Sequence, residues 1–324
     1  MTKVAAGDWP GRLPMARKAP GSMASAKHII CVGHAALDRI YRIEAFPPQP
    51  TKVRALEHIE VGGGMAANAA VAIARLGGTA ELWSRVGDDN AGQTIRAGLR
   101  AERVDVRYVQ AFEGARSSTS AIIVDDKGER LIVGQRDAGM PSGTSWLPLE
   151  RIKTAHAVVG DVRWLEGVRT VFTQARKDKV PTLLDADLGA REALPGLLQL
   201  TDYAIFSAPA LRDLFPAGTD AERLAHVLTL GPGHAGVTLG AKGYLWREPG
   251  GGGQVPAFSI SVTDTTGAGD AFHGTFALMR AEGRPAADCA RLAAAAAALK
   301  CTRLGSRAGL PLRAELEAFE RSRA

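Results

Sequence analysis

The residues best suited to chemistry lie at 264–272 and read DTTGAGDAF. Gly267-Ala268-Gly269 make a turn of small residues, and the carboxylate of Asp270 follows at once. The next stretch, AFHGTFALMRAEG, repeats apolar residues at helical spacing, so Asp270 falls in the first turn of a helix. Ordinary capping accounts for an acid there, because the free N–H groups and the helix dipole favour negative charge. It does not account for three small residues in a row. Small residues let a ligand approach the backbone closely. A bare helix N-terminus suits a phosphate, and an acid beside a phosphate can act as base toward an attacking hydroxyl. On its own the stretch leaves capping and catalysis both open.

Other glycine-rich stretches are less specific. VGGGMAANAAVA (61–72) places Gly62, Gly64 and Ala67 at a spacing close to a dinucleotide fingerprint, with Glu81 downstream. That fingerprint needs a buried strand before it, and RALEHIE is charged and alternating, so tight packing or contact with a small ligand fits better. VTLGAKGYLW (237–246) reads as strand, Gly240 and Gly243, strand, either a plain turn or one open enough for a nucleotide base and ribose. No GxxxxGK[ST] is present, which excludes a Walker-type nucleotidase; GxSxG and a zinc-type His/Cys cluster are also missing.

The elements that must hold these residues follow from hydrophobic pattern. HIICVG (28–33), AELWSRVG (80–87), AHAVVG (155–160), VPTLLDAD (180–187), YAIFSA (203–208) and AGVTLG (235–240) read as buried strands. NAAVAIARLGG (68–78) and AGQTIRAGLRAERV (91–104) read as helices, and helical segments separate the other strands. Such alternation predicts an α/β fold, a Rossmann-like, mostly parallel sheet with helices on both faces. Segments 37–61 and 117–135 alternate apolar and polar and read as antiparallel hairpins, the second around Asp126-Lys127-Gly128. They form either a small β-sheet lid or edge strands of the main sheet.

The chain has 324 residues and a net charge of +6. Residues 1–27 carry five basic residues against Asp8, leaving +2 for the rest, so the basic balance does not indicate a nucleic-acid surface. This segment is Pro/Gly/Ala-rich without periodicity and is expected to be a disordered extension, with Met23 a candidate start; residues 28–324 are expected to form one domain. Cys31, Cys289 and Cys301 show no paired spacing and suit a reducing cytoplasm. LAAAAAAL (292–299) is too short to span a membrane.

Gly-Gly-x-x-x-Asn at 63–68 together with DTTGAGDAFHG late in the chain resembles the PfkB/ribokinase family of sugar kinases, over about residues 28–311. The resemblance implies a ribokinase-like core with a β lid that transfers the γ-phosphate of MgATP to a sugar hydroxyl. It implies Asp270 as general base and the N–H groups of Gly267, Ala268, Gly269 and Asp270 as anion hole. Asp38, Gly63, Gly64 and Asn68 match positions that hold sugar hydroxyls; Thr238, Gly240 and Gly243 match the nucleotide side. Asp264 and Thr266 match a loop for a monovalent cation such as K+. Relatives with a projecting lid pair through it, so a homodimer is expected. One departure concerns Mg2+: where relatives carry Asn-x-x-Glu, this chain has Ser207 and Ala210, leaving Asp185 or Asp187 to act through water.

DRIYRIEAFP, SSTSAIIVDDKGER, DVRW and LKCTRLGSRAGLP are similar to the branch of the family that phosphorylates 6-deoxy-6-sulfofructose at O1. In that branch a lid Lys, an Arg after a core strand and a hairpin Asn meet the sulfonate. Lys52 and Arg163 match the first two, while Gly134 stands in place of the Asn, with Gln135 beside it. The competing readings are a solvated Lys52, and an Arg163 paired with Asp161 or Glu166. A fructokinase or ribokinase, a sugar-phosphate kinase, and a non-catalytic sugar sensor are the other functions kept open; a sensor has no need of Asp270.

Overall fold

The computed structural model describes residues 26–126, 129–135 and 139–323. Nearly all of the expected extension 1–27, and the Lys127-Gly128 tip of the second hairpin, lie outside the described residues. In chain order the first elements are β1 (His28–Val32), β2 (Ala36–Arg42), β3 (Glu57–Gly63), α1 (Met65–Arg75), β4 (Thr79–Gly87) and α2 (Asn90–Ala101). Next come β5 (Val109–Phe112), β6 (Ser118–Val124), β7 (Arg130–Gln135), β8 (Ala157–Asp161), α3 (Leu165–Lys177) and β9 (Thr182–Ala186). Then follow α4 (Leu194–Leu198), β10 (Tyr203–Ser207), α5 (Ala208–Leu214), α6 (Asp220–Thr229), β11 (His234–Thr238) and β12 (Tyr244–Glu248). The chain closes with β13 (Gly251–Val255), α7 (Ala268–Ala281), α8 (Ala286–Cys301) and α9 (Arg313–Arg321).

β1 shows why the core forms. Ile29 and Cys31 enter one apolar layer, Ile30 and Val32 the other, and all four are buried. A strand apolar on both sides needs cover on both sides. The main sheet runs β13-β12-β11-β10-β9-β8-β1-β4-β5, parallel except for β12 and β13. α1, α7 and α8 pack against the Ile29 side, and Val168, Val171 and Phe172 of α3 against the Ile30 side.

β3, β2, β6 and β7 form a separate sheet, in that order, so the lid reading replaces the edge-strand one. β2–β3 and β6–β7 are antiparallel, the second through a short connection, whereas β2 and β6 pair in parallel. The two hairpins are separated in sequence by α1, β4, α2 and β5, so no turn fixes their relative direction, and the alternation pattern carries no record of it.

Glu81 is not part of a dinucleotide site. It is buried in β4, where Arg151 (2.7 and 3.0 Å), the Trp83 indole N–H (2.7 Å) and His28 (3.3 Å) surround it. Burial raises its pKa, but the bonds from His28, Arg151 and Trp83 outweigh that and hold it down to about 2.

Candidate active site

Two helices meet at the site. α1 carries Ala66, Ala67, Ala69, Ala70 and Ala72 on buried positions, and α7 presents Gly274, whose absent Cβ would lie 2.5 Å from the Ala69 carbonyl. Small residues on both helices therefore allow a close approach, and Asn68 of α1 donates from Nδ2 to Asp270 Oδ2 of α7 at 2.7 Å. Asn68 Oδ1 accepts from Arg307 Nε at 2.9 Å, and a second Arg307 nitrogen donates to the Gly63 carbonyl at 2.8 Å. Because a guanidinium only donates, it fixes which end of the Asn68 amide faces Asp270. Gly62 leaves the space: a Cβ there would collide with the Arg307 guanidinium at 1.7 Å. Arg307 is buried, and desolvation lowers its pKa to about 10 against the opposing pull of Glu102, Asp38 and Asp270.

Asp38, on lid strand β2, lies over Gly63, where a Cβ would be 2.2 Å from its Oδ2. Its Oδ1 accepts from Ser120 Oγ at 2.5 Å. Gly63, Asn68 and Asp270 thus share one hydrogen-bond network with Arg307, and Asp38 packs against its Gly63 end. Gly64 caps α1 at φ 95°, a conformation that favours glycine.

The start of α7 differs from expectation in one detail. Gly267 adopts a left-handed φ of 79°, and the Ala268 N–H, assigned to the anion hole, donates to the Thr265 carbonyl at 3.2 Å. Turn closure uses that donor. Among the described residues no acceptor takes the N–H groups of Gly267, Gly269 or Asp270. Asp270 is half-buried and keeps some solvent contact. Desolvation first, and then the charge of Asp185, push its carboxyl up to about 7, against the hydrogen bond from Asn68.

Behind Asp270 lies a group of acids at the C-terminal ends of β8 and β9. Asp161 accepts three backbone N–H groups, from His34 (2.7 Å), Ala66 (3.0 Å) and Arg163 (2.8 Å). Asp185 is buried, and its pKa is raised by desolvation and then by the charges of Asp161 and Asp187. His273 Nδ1 lies 2.6 Å from the Gly269 carbonyl and 3.3 Å from Asp185 Oδ2, which ties the first turn of α7 to β9.

Arg163 belongs to this group. Its guanidinium donates to Asp187 (2.7 Å) and to the Leu188 carbonyl (2.7 Å), so the partner is neither Asp161 nor Glu166. Lys52 is exposed in the connection between β2 and β3, and no hydrogen bond or ion pair links it to Arg163 among the described residues. Gly134 pairs with Ser120 and has open space around its Cα. Side chains alternate across a strand, so Gln135 points to the opposite face of the lid from Ser120 and cannot stand in for a side chain at 134. Of the residues that the resemblance matches to a nucleotide, Thr238 ends β11, and Gly240 (φ 57°) and Gly243 (φ 91°) make the turn to β12. A Cβ at Gly243 would strike the Val255 carbonyl at 2.0 Å. β1, β8, β9, β10 and β11 all end on this side, the edge where ligands bind in open α/β sheets.

Sequence reasoning missed Arg307 and His273. Arg307 sits in the LKCTRLGSRAGLP stretch, where an arginine flanked by small residues was a usable signal; a histidine inside an apolar helix gave none.

A sheet of this order, with an acid at a helix start on its C-terminal edge, places the chain among the open α/β folds that bind small ligands at the strand ends. The family model for pfkB family carbohydrate kinase matches residues 26–313. The chain belongs to this family of ATP-dependent sugar kinases. It is 29% identical to a ribokinase of Bacillus subtilis over 90% of this chain and 98% of that protein. With a fructokinase of Klebsiella pneumoniae the identity is 30%, over 80% and 92%. Among solved structures, a provisionally named ribokinase from Agrobacterium tumefaciens superposes with a TM-score of 0.87 at 38% identity, covering 92% of this chain and 99% of that one. The Arabidopsis thaliana ribokinase complexed with ribose and ATP gives 0.82 at 26%, covering 91% and 99%.

Proposed function

We propose that the chain transfers the γ-phosphate of ATP to O1 of a ketose with an anionic group at C6, 6-deoxy-6-sulfofructose. The observation that carries the catalytic part is the Arg307–Asn68–Asp270 relay ending on a carboxyl with a pKa of about 7. A base near the working pH combines a useful deprotonated fraction with real proton affinity. Asp270 takes the proton of the sugar hydroxyl as its oxygen bonds to phosphorus and the bond to the ADP oxygen breaks. The N–H groups of Gly267, Gly269 and Asp270 face the charge on the phosphoryl oxygens. Asp38, Gly63, Gly64 and Asn68 orient the sugar, and Thr238, Gly240 and Gly243 border the nucleotide. Mg2+, when bound with ATP, neutralises phosphate charge. Asp185 or Asp187 would meet it through water, and the burial and the charges of Asp161 and Asp187 that raise the pKa of Asp185 favour a cation nearby.

Lys52 and Arg163 are the sulfonate partners in this reading. A neutral sugar such as fructose or ribose is the second reading, favoured by the pairing of Arg163 with Asp187. We also propose a homodimer through the lid, supported by exposed Leu131, Ile132 and Val133, and a cytoplasmic location, supported by three free, buried cysteines.

The test is kcat/KM with ATP for 6-deoxy-6-sulfofructose, fructose, ribose and fructose 6-phosphate, in wild type and Arg163→Ala. The proposal expects sulfofructose to be preferred. It also expects the variant to lose roughly 2–4 kcal/mol of transition-state binding with that sugar and little with fructose. Equal losses for both sugars would make Arg163 a partner of Asp187 alone, and a preference for fructose or ribose in the wild type would select the second reading.

A further inference from the structure

The family resemblance implies a monovalent cation at Asp264 and Thr266, and the donor set there does not fit one. Lys300, near the end of α8, is completely buried. Its Nζ donates to the main-chain carbonyl of Asp264 at 2.7 Å and lies 3.3 Å from the Asp264 Oδ2. The same Oδ2 accepts the Gly305 N–H at 2.9 Å, and Oδ1 accepts the Thr266 N–H at 2.9 Å. Hard cations take oxygen ligands such as carboxylates and main-chain carbonyls. Asp264 offers one of each, and the ammonium faces both. Gly309 makes room for the lysine stem, since a Cβ there would come within 3.1 Å of Lys300 Cε. A buried ammonium persists where it is paired and hydrogen-bonded, and both conditions are met by this one residue.

The position connects to the chemistry on two sides. Asp264 opens the turn that ends at Gly267 and the free N–H groups of α7. Gly305 leads into Ser306, which packs behind Gly267, and Arg307, which holds Asn68. The ammonium therefore ties the loop that makes the anion hole to the loop that orients the base.

We propose that Lys300 is a built-in replacement for the monovalent cation, so that turnover does not depend on K+. Only the activity part of this proposal rests on the kinase reading above. The experiment measures kcat and the thermal midpoint in KCl, NaCl and choline chloride at equal ionic strength, for the wild type and for Lys300→Met, which keeps the apolar stem and removes the charge. The wild type is expected to show kcat within about twofold across the three salts and no K+-specific rise in midpoint, as follows when no such ion binds the folded state. Lys300→Met is expected to lose activity in choline and to gain both activity and midpoint as K+ is added. A wild type that gains about tenfold or more in kcat from choline to K+, or a K+-specific rise in its midpoint, would overturn the proposal. So would a folded Lys300→Met variant that ignores K+. Should that variant fail to fold, the wild-type salt comparison still decides. Failure to phosphorylate any sugar in any salt would count against the kinase reading, while the melting comparison would still judge Lys300.

Discussion

Asp270 sets the behaviour expected at the scale of single residues. Its carboxyl is raised from 3.8 to about 7, mainly by desolvation and then by Asp185. Proton abstraction needs the ionised form, so kcat/KM is expected to climb as pH rises through about 7 and to level off above it. The folded state binds this proton more tightly than the unfolded chain does. The resulting stabilisation is full below the unfolded pKa near 4 and is lost as pH rises through about 7. A pH–rate profile flat from 5.5 to 8.5 would contradict this reading of the carboxyl. Asp270 was legible in the sequence because an acid follows three small residues at a helix start, whereas Asn68 and Gly63 were reached through the family resemblance that Gly-Gly-x-x-x-Asn carries. Arg307 and Lys300 were not legible, because the residues they hold lie far along the chain (239 positions from Arg307 to Asn68, 36 from Lys300 to Asp264).

Among the elements, the parallel strands were readable because burial on both faces leaves an unbroken apolar run. β13 was not, since Gly251, Gly252 and Gly253 supply no apolar run; a Cβ at Gly253 would lie 2.3 Å from the Trp246 ring, so glycine there lets the strand lie against Trp246. The parallel join of β2 and β6 was equally hidden, because it is made by tertiary packing between distant hairpins. One element contact invites a direct test. Glu81 of β4 holds the short 3-10 helix Leu149–Thr154 through Arg151. Removing the arginine leaves a buried carboxylate without its main cation, and Arg151→Ala is expected to cost roughly 3 kcal/mol in denaturant unfolding at pH 7. Because the Glu81 pKa is depressed to about 2, its contribution is present above 4.5 and is lost as pH falls toward 2. The wild-type advantage over Arg151→Ala should therefore shrink in acid, and a cost below about 0.5 kcal/mol at pH 7 would show that the pair is dispensable.

For the whole molecule, the alternating pattern of strands and helices predicted the layered sheet, while two interrupted, half-polar segments left a lid or edge strands open and the family resemblance favoured the lid; the main sheet and a separate second sheet are present. What pattern could not supply is how closely the layers approach. The alanines of α1 and Gly274 of α7 decide that distance, and with it whether Asn68 reaches Asp270. The central claim is that this contact serves phosphoryl transfer to a sugar with Asp270 as the base. It is tested most directly by kcat/KM for the best sugar at pH 8 in wild type and Asp270→Asn, with ATP binding followed by calorimetry in both. The account predicts a loss of about 10²–10⁴-fold in turnover with ATP affinity and fold retained. A variant that binds ATP normally and turns over at close to the wild-type rate would contradict it.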